Sequence, residues 1–276
     1  MKNDRLENIH DSYQDIEIRS SRKKFFHKRH PEEESLYEVD KFSQYRYENI
    51  EKIYKQIIPD DKFEDARVRS LEERDKLNIR KDDNFVYGEM TFRTLAYIYE
   101  IIKISFGPNS IKEGNFYDLG SVKLFLTIKG YGHVCVQAAL LHSFNSCVGI
   151  ELLGSLHKMS QETKVDYDKF FENKINHNEE LFSNHKGIMP KLNFIEGNFI
   201  QHNWSNASMV FTNSTCFDKN VLNEIFHKAN DLSKGSIFIN TTTMMPKKFK
   251  ENWHYVTPFN RLMSWGVAKI FIYRRK

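Results

Sequence analysis

From Asn115 onward, short apolar runs of β type alternate with helical ones, and no other feature constrains the fold as much. A strand–helix–strand rhythm builds a mostly parallel sheet covered on both faces. The runs are NFYDLG (Asn115–Gly120), CVGIEL (Cys147–Leu152), LNFIEGN (Leu192–Asn198), MVFTNS (Met209–Ser214) and SIFINTT (Ser236–Thr242). Helical stretches fit between them: HVCVQAALLHSF after the first, SLHKMSQETKVDYDKFFENK after the second and NVLNEIFHKANDLS after the fourth. The closing run AKIFIYRRK is an apolar strand, which suits a sheet finished by an antiparallel hairpin better than the second half of a dinucleotide-binding fold. The pattern predicts an α/β, Rossmann-like domain over 82–276, with a mostly parallel seven-stranded sheet.

Upstream, the rhythm is purely helical. Ile50, Ile53, Tyr54 and Ile57 follow an i, i+3, i+4, i+7 spacing that Pro59 ends, and a second helix is expected from about Lys62 to Leu77. A third amphipathic helix uses Phe92, Leu95, Ala96, Tyr99 and Ile102 and stops at Gly107-Pro108. Residues 36–81 therefore read as a helical extension, a lid or buttress for the domain that follows. Residues 1–35 read as a disordered charged tail, because they are short of periodic apolar residues. Within that tail Arg19–His30 is half Lys and Arg, with Phe25 and Phe26 able to stack. It is a candidate for nuclear import or non-specific nucleic-acid contact, and equally reads as a solvated tail.

Composition excludes several classes. No stretch approaches the roughly 18–20 apolar residues of a membrane helix, and the polar start does not resemble a secretory leader, so a soluble intracellular protein is expected. Cys135, Cys147 and Cys216 lack C-x-x-C spacing and read as small core residues, and the histidines show no metal-ligand pattern. No metal site is expected.

The strongest local signal is YDLGS, a buried strand ending in Asp118 and Gly120, followed by Gly130-Tyr131-Gly132 and a helix. Glycines at such a strand–turn–helix junction let backbone N–H groups approach a ligand that a side chain would block. Glu151 ends the next strand 19 residues after Gly132, where a carboxylate can accept from ribose hydroxyls; a helix-capping role for it is the alternative. Between Ser121 and Gly130 stand the eight residues Val122–Lys129. Removing them restores YDLGSGYGHVCVQAALLHSF, an uninterrupted strand, turn and helix. Their eight codons can begin GT and end AG, so a short retained intron fits; a genuine insertion, with Val122, Leu124, Leu126 and Ile128 alternating along a hairpin, is the alternative. As written, the chain is expected to bind cofactor poorly unless the insert loops outward.

FVYGEMTF (Phe85–Phe92), FYDLGS with GYG, VGIE (Val148–Glu151), EGNF (Glu196–Phe199), VFTNSTCF (Val210–Phe217) and Ser264-Trp265 occur in an order that resembles the non-SET histone lysine methyltransferases named for disruption of telomeric silencing. The resemblance spans about Asp82 to Arg275 and is closest to compact members from unicellular eukaryotes. It implies a class I methyltransferase that uses S-adenosylmethionine, acts on histone H3 in the nucleosome core and works in the nucleus. It further implies that Tyr87, Gly88 and Glu89 close over the methionine end of the cofactor, with Glu89 and Asp118 near its ammonium group. Gly120, Gly130 and Gly132 would form the glycine turn, Glu151 would hold the ribose, Phe199 would stack on adenine and Asn198 would bond its amino group. Asn213 would stand beside the transferable methyl.

Several positions depart from the family pattern. Met90 replaces a hydroxyl residue, for which Thr91 is the substitute; His133 replaces a glutamine; and Asn198 replaces an aspartate. Tyr273 and Phe271 are rival candidates for the aromatic wall of the lysine channel. A methyltransferase for another protein or a small molecule shares the cofactor residues, and a catalytically dead member with a broken cofactor loop is the non-enzymatic alternative. A nicotinamide dehydrogenase is disfavoured, since neither a second nucleotide half nor an acid–base histidine stands out.

Overall fold

In the computed structural model, which describes residues 41–77, 89–120, 130–174, 188–215, 217–264 and 266–276, the isoleucine rhythm lies on helix α1 (Lys41–Ile57). The tail 1–35 with Arg19–His30, Tyr87, Gly88, Val122–Lys129, Cys216 and Trp265 lie outside the described residues. The chain divides into two compact units, Met1–Arg46 and Tyr47–Lys276, and everything below concerns the second.

Ile50, Ile53 and Ile57 are buried, and Tyr54 stacks on Phe92 at 5.3 Å between ring centres. Helix α2 (Asp61–Lys76) is polar, with Ala66, Ser70 and Arg74 buried. Helix α3 (Phe92–Phe106) starts at Thr91, whose side chain accepts from the Thr94 amide, and ends at Gly107, whose φ of +100° suits glycine. Its Phe92, Leu95, Ala96, Tyr99 and Ile102 all face the core, as their spacing predicts.

The alternating part then runs β1 (Asn115–Leu119), α4 (His133–Leu141), β2 (Ser146–Glu151), α5 (Gly154–Lys174), β3 (Lys191–Glu196), β4 (Ala207–Thr212), α6 (Lys219–Ala229) and β5 (Ile237–Thr241). A single helical turn α7 (Lys247–Lys250) follows, then β6 (Trp253–Tyr255), β7 (Phe259–Met263) and β8 (Gly266–Arg275). Strands β3, β2, β1, β4 and β5 lie side by side and parallel, and β8 pairs antiparallel with β5. The far side of β8 pairs with β7 along its first half and with β6 at its end, so β6 and β7 share one position in the sheet. The expected seven positions are therefore filled by eight strands, because the outer one is interrupted at 256–258, where Pro258 has no N–H to donate.

Side-chain parity along the strands makes two cores. Phe116, Met209, Ile239 and Ile272 face α3, α4 and α5, whereas Leu119, Ile150, Val210, Phe238 and Tyr273 face α6 and the Trp204 and Trp253 side chains. Cys135 and Cys147 are buried in the first of these, where burial pushes both thiols up in pKa. Helix α5 begins without a side-chain cap of its own sequence. Glu73 of α2 supplies one, accepting from the Gly154 amide at 3.1 Å and the Ser155 amide at 2.8 Å. Lys62–Asp166 and Arg69–Glu162 ion pairs run alongside at 2.6 and 3.2 Å.

Candidate functional site

The carboxyl-terminal tips of the parallel strands define the edge at which a sheet of this kind binds ligands. At the tip of β1, Gly120 donates its amide to Ile150 O at 2.9 Å, and Glu151 closes β2 beside it. A Cβ on Gly120 would stand 2.5 Å from Ile150 O and 2.8 Å from Glu151 Oε2. A Cβ on Gly130 would also run into Glu151 Oε2, and Gly130 holds a φ of +106°. The two glycine stretches on either side of the octapeptide thus converge on one buried carboxylate. Its other oxygen, Oε1, accepts from the Leu153 amide at 2.9 Å. That contact lies at the entry to α5, where Glu73 takes the next two amides, while Oε2 faces the glycines.

Helix α4 starts on Gly132 in the left-handed region, with no side-chain cap there, which leaves its first amides directed at the same edge. Next to it a polar cluster forms around Glu89. Tyr131 donates its hydroxyl to Glu89 Oε2 at 3.1 Å, the Tyr131 and His133 rings stack at 4.9 Å, and His133 Nε2 lies 4.0 Å from Glu89 Oε2. The Glu89 main chain is clamped to Ser264, which accepts from the Glu89 amide at 2.7 Å and donates its own amide back to Glu89 O at 3.1 Å. Asp118 is buried near the β1 tip, where its charge adds to the burial that raises the Cys135 pKa. Tyr131 and Ser264 had no role assigned from sequence. Their signals were a tyrosine between two glycines and a serine far downstream, and only folding brings the second to Glu89.

At the tip of β4, Asn213 Oδ1 accepts from Thr241 Oγ1 at 2.8 Å and from Thr215 Oγ1 at 2.7 Å. Thr215 also meets the Thr242 hydroxyl at 3.1 Å, and Thr242 is the one non-glycine among the described residues with a positive φ, +68°. The threonine run that ends β5 and follows it is the sequence trace of this hydroxyl cluster.

Other expected site residues make contacts within the fold. Thr91 spends its hydroxyl on capping α3, and Met90 is buried, its carbonyl accepting from Gln137 Nε2 at 3.1 Å. Asn198 Oδ1 accepts from the Ile200 amide at 2.9 Å, folding the turn after β3. Phe199 has no exposed surface and packs on Phe217 at 5.7 Å between ring centres. Tyr273 is not brought to the strand tips. It pairs with Phe238, three residues before the end of β5, it is 1% exposed, and its hydroxyl accepts from the Met245 amide at 2.9 Å. Burial pushes its phenol up to about 12. Its rival Phe271 lies two pairs nearer the tips, opposite Asn240, and belongs to the same core.

The family model of the histone methylation protein DOT1 matches residues 69–268. The chain belongs to this DOT1 family. It is therefore a methyltransferase of the class that uses S-adenosylmethionine. The DOT1-family match begins inside α2, and Glu73, which caps α5, lies within it. No curated protein matches the chain. Solved structures similar to it include an RNA methyltransferase from Salinibacter ruber with S-adenosyl-L-homocysteine, at 16% identity over 64% of this chain and 90% of that one, TM-score 0.41. Magnesium protoporphyrin IX methyltransferase from Synechocystis PCC 6803 is 9% identical over 67% and 79%, TM-score 0.43. Precorrin-6y C5,15-methyltransferase from Geobacter metallireducens GS-15 is 11% identical over 71% and 96%, TM-score 0.44.

The described residues fit the family's cofactor. A buried carboxylate lies against two positions that any Cβ would fill, beside a helix whose first amides are uncapped by a side chain. Among the described residues no group of three or more His, Cys, Asp or Glu is placed to hold a metal ion, and no helix is long and apolar enough to cross a membrane.

Proposed function

We propose that this chain is a protein-lysine methyltransferase of the nucleus that acts on histone H3 in the nucleosome core. The observation that carries the enzymatic part is the convergence of Gly120 and Gly130 on the Glu151 carboxylate. The DOT1 family description, histone methylation, supports the histone part. When bound, S-adenosylmethionine supplies a methyl group already activated on a sulfonium.

The chain itself then has three tasks. Glu151 accepts from ribose hydroxyls, with the bare glycines allowing close approach. Glu89, aligned by Tyr131 and clamped by Ser264, works with Asp118 to hold the cationic amino acid end; two carboxylates suit one ammonium. Asn213, fixed by Thr215 and Thr241, lines the entry of the acceptor amine. That amine has an ordinary pKa near 10.4, so a water-poor entry favours its neutral, nucleophilic form. No acid–base dyad is required, because alignment and exclusion of water supply the acceleration.

The deciding experiment follows a labelled methyl group from S-adenosylmethionine to nucleosomes, free histones and whole lysate. Label on H3 in nucleosomes, lost in Glu151→Gln, is the expected result. Label only on other proteins rejects the H3 target and keeps the enzyme. One observation favours a second reading, a member that keeps the fold without the activity: the Phe199 ring is fully buried against Phe217, which leaves no ring surface exposed for an adenine. Calorimetry with S-adenosylmethionine, on the chain with and without Val122–Lys129, separates the two. Heat of binding in either form supports the enzyme, and none in both supports the inactive module.

A further inference from the structure

The end of the sheet away from the strand tips carries a feature that methyl transfer does not use. Because β8 runs antiparallel to β5, its last residues lie beside the start of β5, with Arg274 opposite Ile237. A groove of about 650 Å³ opens there, lined chiefly by Phe106, Trp253, His254, Tyr255, Arg274 and Lys276. His254 stands directly across from Arg274 in the β6–β8 pair, so both project from the same face of the sheet. The Arg274 guanidinium lies over the Phe106 ring, 5.7 Å from its centre.

The charged side chains that line it, Arg274 and Lys276, are both cationic. Lys112 Nζ and Arg274 Nη2 close on a single point, 2.9 and 3.9 Å from a Cβ placed on Gly235. Lys112 Nζ donates to the carbonyl of Lys234 at 2.9 Å and Lys276 Nζ to that of Glu251 at 2.6 Å. Both acceptors are neutral carbonyls. Among the described residues, neither of these lysines nor Arg274 enters an ion pair. Glu113 and Glu251, next to the cluster in sequence, are exposed and do not line the groove. Lys250, 3.7 Å from the centre of the Tyr255 ring, adds another cation at the rim. Like charges gathered in a recess repel one another, and a multivalent anion relieves that repulsion.

We propose that this groove is a second ligand site, one that takes a nucleoside polyphosphate. Arg274 and Lys276 receive the phosphates, the arginine fork suiting their geometry, and the Phe106 ring beside Arg274 takes the base. The volume lies within the roughly 300–1,000 Å³ range of small-molecule sites. A recess of that size fits one compact ligand, whereas a nucleic-acid duplex engages an extended basic stripe. The positive field also repels S-adenosylmethionine, whose sulfonium and ammonium are cations, so the two sites have opposite preferences.

The test is titration of the full chain with guanosine triphosphate, followed by calorimetry and by Trp253 fluorescence. Saturable binding is expected, weakened at least ~10-fold by Lys276→Ala and by Arg274→Ala, the scale of a lost charge-assisted hydrogen bond. It should weaken with salt and persist in excess S-adenosylhomocysteine. Lys276 is exposed, so its variant keeps the test valid if Arg274→Ala fails to fold. The proposal is overturned by any of four outcomes: no binding at millimolar nucleotide, equal affinity in wild type and Lys276→Ala, displacement by S-adenosylhomocysteine, or binding of a short DNA duplex in place of the nucleotide. Each outcome is independent of whether methyl transfer is seen.

Discussion

Glu151 shows how much one residue's surroundings decide. Its carboxylate fits where it does because neither Gly120 nor Gly130 has a side chain, and Gly130 also occupies a backbone region that L residues avoid. Gly130→Ala is therefore expected to cost roughly 1–3 kcal/mol in strain alone and to abolish cofactor binding by displacing Glu151. Urea unfolding and calorimetry on the same variant check both. An unchanged affinity would mean that Glu151 does not touch the ligand.

Tyr273 makes the opposite case. Its hydroxyl receives one amide hydrogen bond in the core, so Tyr273→Phe should cost about 1 kcal/mol while leaving the methyl-transfer rate unaltered. A large fall in that rate with unchanged stability would restore it to the site. The contrast marks what the sequence discloses about residues. The places of Asp118, Gly120 and Glu151 at strand ends were legible because strand ends and glycine turns are local. The surroundings of Tyr273 and Phe199 were not, because they depend on long-range pairing and packing that no short motif records.

Among elements, the contact with most leverage is Glu73 at the start of α5. A helix beginning at Gly154 has amides that its own sequence does not cap, and the carboxylate satisfying two of them comes from α2, some 80 residues earlier. Glu73→Ala should destabilise the fold by about 1–2 kcal/mol, visible as a thermal midpoint several degrees lower. Glu73→Gln should recover part of the loss, since its amide oxygen can still accept; no shift in either variant would show the cap to be incidental. Periodicity was enough to read α1, α2 and α3 and the five parallel strands. It passed over β6 and β7, which have three and five residues around Pro258 and carry no alternation long enough to register. The capping of α5 by α2 was equally hidden, since a glutamate on a polar helix looks like any solvated charge.

For the molecule as a whole, the buried acids are mostly phenols and thiols held neutral. Burial raises the pKa of Cys135 and Cys147 above the ordinary 9.0, and those of Tyr54, Tyr99 and Tyr167 above the ordinary 10.0. The unfolded chain loses these protons first, so above those values the native state binds more protons than the unfolded one, and stability falls as pH rises. The contribution is complete below about pH 9 and is lost progressively above it, a trend that urea midpoints measured across the alkaline range will report. A midpoint that stays level well above about pH 10 would contradict the burial of these groups. The arrangement of the whole was the most legible part of the sequence. Alternating elements joined by right-handed crossovers leave few orders for a parallel sheet, and an apolar final strand leaves fewer.

The interruption of the outermost strand also governs how copies of the chain meet in concentrated solution. An intact rim would offer a stranger's backbone a ladder of amides and carbonyls to climb. Here that rim is cut into two short rungs by a stretch containing Pro258, and the opposite rim, β3, shows water the charges of Lys191 and Glu196. Among the described residues, strand-by-strand zippering between neighbours has little to start from on either rim.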